Sequence, residues 1–163
     1  MYSERLLQLL PSCFRKQIVV HDHFYLKNEY NLKGIHLNQR NADIPQNYKG
    51  HISCSCHSAE EVANFKKKCD YVFFSPIFDS ISKGGYQAKF TATELKDFSK
   101  RKIIDKNVMA LGGVDLENIP FLKELNFGGI VLMGAIWNKF NIHQTSDFKE
   151  LITHFRKIRK ITS

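Results

Sequence analysis

A hydroxyl-rich loop with one lysine has the residue types best suited to bind an anion. It runs Asp79-Ser80-Ile81-Ser82-Lys83 and is followed by Gly84-Gly85. Serine hydroxyls, an ammonium group and backbone N–H groups are donors that phosphoryl oxygens accept. The loop follows Tyr71-Val72-Phe73-Phe74, a β-branched and aromatic run that predicts a strand buried on both faces. The spacing predicts phosphate binding, with an ordinary polar surface loop as the alternative.

Chemistry-bearing residues also follow other apolar runs. Asp22 comes after Ile18-Val19-Val20, and Gly112-Gly113 comes after Val108-Met109-Ala110-Leu111. A carboxylate at a strand end suits a hard cation, and a glycine pair lets backbone N–H groups reach a phosphate. Gly112-Gly113 is therefore a second candidate phosphate segment.

The elements that position these residues are short strands alternating with amphipathic helices. Connections too long for hairpins make the strands parallel, and parallel α/β folds bind ligands at the carboxyl ends of their strands. Ser58 and Glu61 form a capping-box pattern at one helix start. Strands are predicted at 18–20, 34–37, 51–56, 71–74, 108–111 and 129–133, and helices at 2–10, 24–30, 59–68, 93–101, from 115 onward and at 146–160.

Chain length leaves two architectures open. A complete (β/α)8 barrel takes about 250 residues and usually at least about 200, whereas this chain has 163 and opens on a helix. Either it forms an open doubly wound sheet, or it is a barrel without its first strand–helix–strand. In both cases residues 1–163 make a single domain.

Composition narrows the functional classes. Hydrophobic content of 43% and charged content of 25% are typical of a globular protein, and no apolar run approaches the ~20 residues that span a bilayer. Four cysteines without a framework spacing predict reduced thiols in a cytoplasmic protein. The net charge of +8 suits an acidic substrate or a solvated surface. Nucleic-acid binding is disfavoured because the aromatic residues lie within the predicted strands and helix faces.

Six motifs in order, from about Ile18 to Ile136, resemble thiamine phosphate synthase and its sister, the TenI-type thiazole tautomerase. Together they identify the chain as a member of this superfamily. The motifs are Val20-His21-Asp22-His23, similar to a strand ending in Asn-Asp-Arg; Gly34-Ile35-His36-Leu37-Asn38-Gln39, similar to Gly-Val-His-Leu-Gly-Gln; Ser53-Cys54-Ser55-Cys56-His57-Ser58; Asp70-Tyr71 through Ser75-Pro76-Ile77-Phe78 to Ser80-Ile81-Ser82-Lys83; Ala110-Leu111-Gly112-Gly113-Val114; and Gly129 to Ile136.

The resemblance implies an α/β fold of the (β/α)8 TIM-barrel type. It also implies a transferase of thiamine biosynthesis, which joins hydroxymethylpyrimidine diphosphate to a thiazole phosphate and releases pyrophosphate. The implied cofactor is Mg²⁺, with Asp22 as a ligand. The implied phosphate contacts are Ser55, Ser80, Ser82 and Lys83 for pyrophosphate oxygens and Gly113, Met133 and Gly134 for the thiazole phosphate; His57, Lys83 and Ser55 are the candidate catalytic residues.

The chain departs from the family pattern in two respects. Asn41 stands where the family has a second metal aspartate, so the expected metal site of Asp22 and Asn41 is a weak one. The first two family strands have no counterpart, so about six strands with an open edge are expected. That edge predicts a partner chain, a covering helix or poor solubility, with a homo-oligomer as one outcome. Whether Met1 is the true start stays open.

Three functions therefore compete: the synthase, the TenI-type tautomerase (an isomerase), and a truncated, non-catalytic member that binds phosphate. Asp22, Ser80, Ser82 and Lys83 favour the synthase. Asn41 and His57 favour the tautomerase, with His57 as its acid/base group. The alternative for His57 is a helix-entry histidine bonded to backbone. The expected ligands are small phosphorylated molecules, with neither nucleic acid nor membrane.

Overall fold

A computed structural model of the chain describes residues 2–79, 87–138 and 147–162, apart from the side chain of residue 147. The strands within these ranges are β1 (Val19–Val20), β2 (Gly34–Leu37), β3 (His51–Cys56), β4 (Tyr71–Phe74), β5 (Val108–Leu111) and β6 (Gly129–Val131). The helices are α1 (Tyr2–Leu9), α2 (Ser12–Arg15), α3 (Tyr25–Glu29), α4 (Ala59–Phe65), α5 (Ala92–Lys100), α6 (Ile119–Glu124), α7 (Gly134–Trp137) and α8 (Asp147–Thr162).

The strands form one parallel sheet in the order β1-β2-β3-β4-β5-β6. A doubly wound sheet would reverse its strand order at a switch point, whereas a barrel keeps strict sequential order. The sequential order therefore decides between the two predicted architectures. The prediction of an incomplete TIM-barrel-type fold with six parallel strands is confirmed.

One face of the sheet carries the core and the other is only partly covered. Alternate strand residues such as Ile35, Cys54 and Phe74 are buried against the helices. On β4, Val72 and Phe74 are fully buried, while Tyr71 and Phe73 on the opposite face are half-buried. The prediction that this strand is buried on both faces is therefore wrong. With six strands the inner face of the barrel type is not fully enclosed.

The start of α4 differs from the predicted capping box in one bond. Ser58 Oγ accepts from the Glu61 N–H at 3.1 Å, as expected. The Glu61 carboxylate, however, accepts from the N–H of His57, one residue earlier than the box requires. A full capping box instead begins α5 at Thr91 and Glu94. The consequence at α4 is that the helix start fixes the backbone of His57, a candidate site residue.

The helix bounds follow the prediction within two residues, with four exceptions. The short helices α2 and α7 were not predicted, α6 begins at Ile119 rather than directly after Asp115, and α4 ends at Phe65 rather than at Lys68. No helix in the described ranges is long and apolar enough to cross a bilayer.

Candidate functional site

The predicted site residues that the structure describes gather after the carboxyl ends of the strands. Asp22 follows β1, Asn41 follows β2, Ser55 lies near the end of β3 with His57 just beyond it, Gly113 follows β5, and Met133 and Gly134 follow β6. Since the strands are parallel, these ends share one edge of the sheet. Ser80, Ser82 and Lys83 lie outside the described residues.

An ion pair forms between the ends of β1 and β2. Arg40 Nη2 donates to Asp22 Oδ2 at 3.0 Å, with 72% of the Arg40 side chain and 42% of the Asp22 side chain exposed. Asn41 Nδ2 donates to the other carboxylate oxygen, Oδ1, at 2.7 Å. The hydrogen bond from Arg40 is the main reason that the pKa of Asp22 lies below its ordinary value. The carboxylate is therefore ionised and held from both sides.

The turn after β2 holds Arg40 and Asn41 in place. Asn38 Oδ1 accepts from the backbone N–H groups of Arg40 at 2.9 Å and Asn41 at 3.1 Å. Asn38 Nδ2 donates to the backbone oxygen of His21 at 2.9 Å. One asparagine thus ties the β2 turn to the end of β1, which brings residues 18 positions apart in sequence into contact.

The surroundings of Asp22 do not suit a divalent cation. Asn41 Nδ2 faces two acceptors, Asp22 Oδ1 at 2.7 Å and the His21 carbonyl at 3.4 Å, so its amide oxygen points away from the carboxylate. The guanidinium of Arg40 would repel a metal placed on Asp22. Across the described ranges, no group of three or more His, Cys, Asp or Glu residues could hold a metal ion. The magnesium site stays a prediction.

A buried histidine links two serines of β3. His36 is fully buried; its Nδ1 lies 2.9 Å from Ser53 Oγ and its Nε2 lies 2.8 Å from Ser55 Oγ. The ring stacks on His21, with centroids 4.1 Å apart, and lies against Phe73 at 4.5 Å. Burial, and to a smaller extent His21, lowers the pKa of His36 to about 3.

His36 is thus neutral and fixes the hydroxyl of Ser55. The neutral ring donates to one of the two serines and accepts from the other; in the tautomer that donates from Nε2, the proton of Ser55 is available to a ligand. The sequence predicted Ser55 as a phosphate donor, and the role of His36 behind it was missed.

His57 is oriented by Ser75, the residue that follows β4. Its Nδ1 lies 3.1 Å from the carbonyl oxygen of Ser75 and 3.2 Å from Ser75 Oγ. A bond to the carbonyl requires the proton on Nδ1, which leaves Nε2 of the neutral ring as a proton acceptor. Lys89 Nζ donates to the His57 carbonyl at 2.7 Å and places an ammonium group beside it. Sequence reasoning missed Lys89, because its partner is 32 residues away.

The glycine pair after β5 packs against the segment that leads into the predicted phosphate loop. Gly113 has φ +61°, and a Cβ there would overlap the backbone oxygen of Asp79 and come within 2.7 Å of Phe78 Cβ. Asp79 Oδ1 in turn accepts from the Ala88 N–H at 2.6 Å. The two chain segments that flank residues 80–86 are therefore held together beside the end of β5.

Comparison with known proteins places these motifs in a family. A family model described as thiamine monophosphate synthase matches residues 4–136. The thiamine-phosphate synthase of Limosilactobacillus reuteri is 24% identical over 162 residues, covering 95% of this chain and 70% of that protein. The superfamily predicted from the ordered motifs is confirmed.

Two proteins of Bacteroides thetaiotaomicron resemble the chain to different degrees. A crystal structure of thiamine phosphate pyrophosphorylase from that species matches with a TM-score of 0.88 and 50% identity, covering 99% of this chain and 78% of that one. The thiamine-phosphate synthase of the same species is 27% identical over 141 residues, covering 80% of this chain and 68% of that protein.

Proposed function

The chain belongs to the thiamine monophosphate synthase family, and we propose that it is a thiamine phosphate synthase-like transferase of thiamine biosynthesis. The reaction joins a hydroxymethylpyrimidine diphosphate to a thiazole phosphate. The methylene C–O bond to the diphosphate breaks, the thiazole ring nitrogen supplies the electron pair for the new C–N bond, and pyrophosphate leaves. The observation that supports the proposal is that those motif residues which the structure describes lie at one edge of the sheet in family order.

The residues have distinct roles in this proposal. Ser55, fixed by His36, donates to a phosphoryl oxygen. Gly113 and the backbone at Met133 and Gly134 accommodate the thiazole phosphate, since they follow the paired strands β5 and β6. Ser80, Ser82 and Lys83 hold the leaving pyrophosphate, whose charge grows as the C–O bond breaks.

Lys83→Ala tests the transferase proposal. Loss of a charge-assisted partner to a developing oxyanion costs on the order of 3 kcal/mol, or about a hundredfold in rate. We expect that reduction in the condensation rate, measured as thiamine phosphate formed from the two precursors. Lys67→Ala, at an exposed position outside the site, is the control and should leave the rate unchanged. Absence of condensation in the parent chain would contradict the proposal.

A second candidate, the TenI-type tautomerase, is favoured by the geometry of His57. A ring whose Nδ1 bonds to the Ser75 carbonyl presents Nε2 as the base that an isomerisation needs.

The same variants separate the two candidates. An isomerisation of the thiazole phosphate expels no pyrophosphate, so Lys83→Ala should change it little. His57→Ala, which removes the proposed base, should abolish most of it. A chain that isomerises but does not condense would replace the first proposal with the second. A chain that does neither, yet binds the thiazole phosphate, would be a non-catalytic member.

A further inference from the structure

The ion pair after β1 and β2 places a cation of the protein's own where the family pattern expects a metal ion. We propose that the guanidinium of Arg40, held by Asp22, takes the place of the divalent cation and binds phosphoryl oxygens directly, so that anion binding at this edge needs no metal. The inference rests on the proposed function only in taking the substrate to be phosphorylated.

The charges at this position balance without a metal. Two carboxylates and one dication, the arrangement that the family pattern implies, sum to zero. Here the second carboxylate is Asn41, and the residue before it is Arg40. One carboxylate and one guanidinium again sum to zero, whereas a dication on Asp22 beside Arg40 would leave a net charge of +2. The loss of the second aspartate at position 41 and the presence of Arg40 beside it therefore give the same net charge as the family's two carboxylates with a dication.

The geometry leaves Arg40 able to bind a ligand. Its Nη2 donates to Asp22 Oδ2, and Asp22 is its only side-chain partner among the residues that the structure describes. The guanidinium carries five N–H donors in a planar fork that suits phosphate oxygens. With 72% of the side chain exposed, the remaining donors are accessible. Its backbone is tied down by Asn38 Oδ1, so the side chain starts from a fixed point.

Asp22 then has a positioning role. Both of its oxygens accept hydrogen bonds, from Arg40 and Asn41. The carboxylate therefore aims the guanidinium rather than coordinating an ion. This positioning role explains why Asp22 follows β1 although the expected second metal aspartate is Asn41.

Calorimetric titration with inorganic pyrophosphate tests the inference. The parent chain, Arg40→Gln and Arg40→Lys are each titrated in excess chelator and again in excess Mg²⁺. We expect the parent to bind equally well in both, within about twofold. Arg40→Gln loses one charged hydrogen-bond donor, so it should bind pyrophosphate about ten- to a hundredfold more weakly than the parent. Arg40→Lys should lose less, because it keeps the charge but not the fork.

Arg101→Gln is the matched control. Arg101 also pairs with an aspartate, Asp97 at 3.2 Å, and its side chain is 63% exposed. It follows α5, which leads into β5 and thus lies towards the amino ends of the strands. The control should bind pyrophosphate like the parent, and thermal unfolding of every variant shows whether the fold is kept.

A reciprocal variant should make pyrophosphate binding depend on a metal ion. Arg40→Gln combined with Asn41→Asp removes the internal cation and supplies a second carboxylate. We expect this double variant to bind pyrophosphate only when Mg²⁺ is present.

Three results would overturn the inference: loss of parental binding on chelation, parental affinity in Arg40→Gln, or no pyrophosphate binding by the parent in either condition. Condensation assays separate it from the proposed function. Condensation that needs added Mg²⁺ would refute the inference and leave the transferase standing. Arg40-dependent pyrophosphate binding in chelator, without condensation, would refute the transferase and support the inference.

Discussion

Among single residues, His36 couples folding to pH. Its folded pKa of about 3 lies below the ordinary value of 6.5. Between these values the unfolded chain binds a proton that the folded chain does not, so the free energy of unfolding decreases as the pH falls through this range. From pH 7 to pH 5 this one group removes about 2 kcal/mol.

Urea unfolding of the parent and of His36→Gln at both pH values measures this effect. Glutamine keeps a donor and an acceptor for the two serines but does not titrate. We expect the variant to be less stable than the parent at pH 7, yet to lose clearly less stability on going to pH 5. An equal loss in both proteins would show that His36 is not the group responsible.

The sequence predicted some site residues and not their partners. Asp22 and His57 were identified because a carboxylate and a histidine after strands match a known pattern. Arg40 was missed because its role depends on Asp22, which reaches it only through the pairing of β1 with β2. Lys89 was missed for the same reason, as its contact with His57 crosses 32 residues. The type of a residue predicts the chemistry of its side chain, but the pairing of the strands decides which charged side chains come into contact.

At the scale of elements, the close approach of Gly113 to the segment after β4 predicts a specific sensitivity. Alanine at Gly113 must adopt φ near +61° and overlap the Asp79 carbonyl oxygen. The conformation alone costs about 1–2 kcal/mol, and the overlap adds to it. We expect Gly113→Ala to lower the melting temperature by at least about 2 °C, measured by circular dichroism.

Gly129→Ala is the comparison. A Cβ there meets only the Sδ of Met109, at 2.8 Å. That atom lies in a flexible side chain, so the change should be tolerated with a smaller shift. Equal melting temperatures for the two variants would contradict the account of Gly113.

Element bounds were predictable where burial sets the pattern. Four predicted strands, 34–37, 51–56, 71–74 and 108–111, match β2, β3, β4 and β5 at both ends, because apolar residues of each are driven into one core. The helices α2 and α7 have four residues each, too few for a hydrophobic period to appear. The exposure of Tyr71 and Phe73 could not be predicted from a uniformly apolar run, since it depends on how far the sheet closes.

At the scale of the whole molecule, β1 and β6 are the sheet edges, and nothing in the described ranges pairs with their outer sides. Gly128 donates its N–H to Val108, so alternation turns the amides of Gly129 and Val131 away from β5. Open edges of this kind promote pairing between chains. We expect hydrogen exchange at the Val131 amide to slow as protein concentration rises.

Amides in the centre of the sheet, such as that of Val72, are the internal reference. Val72 donates to the Asn107 carbonyl at 2.9 Å, so its exchange should not depend on concentration. Concentration-independent exchange at Val131 as well would contradict the predicted homo-oligomer.

The strict strand order also bears on how the protein is made. Each strand pairs with the one that precedes it in the chain, so a ribosome that adds about 5–20 residues per second delivers every new strand to a partner already synthesised. A nascent chain from which β1 to β5 have left the ribosome should therefore carry these strands in native pairing while β6 is still missing. A sheet of order 3-2-1-4-5-6 needs one less local pairing, because its fourth strand pairs with the first rather than with the third.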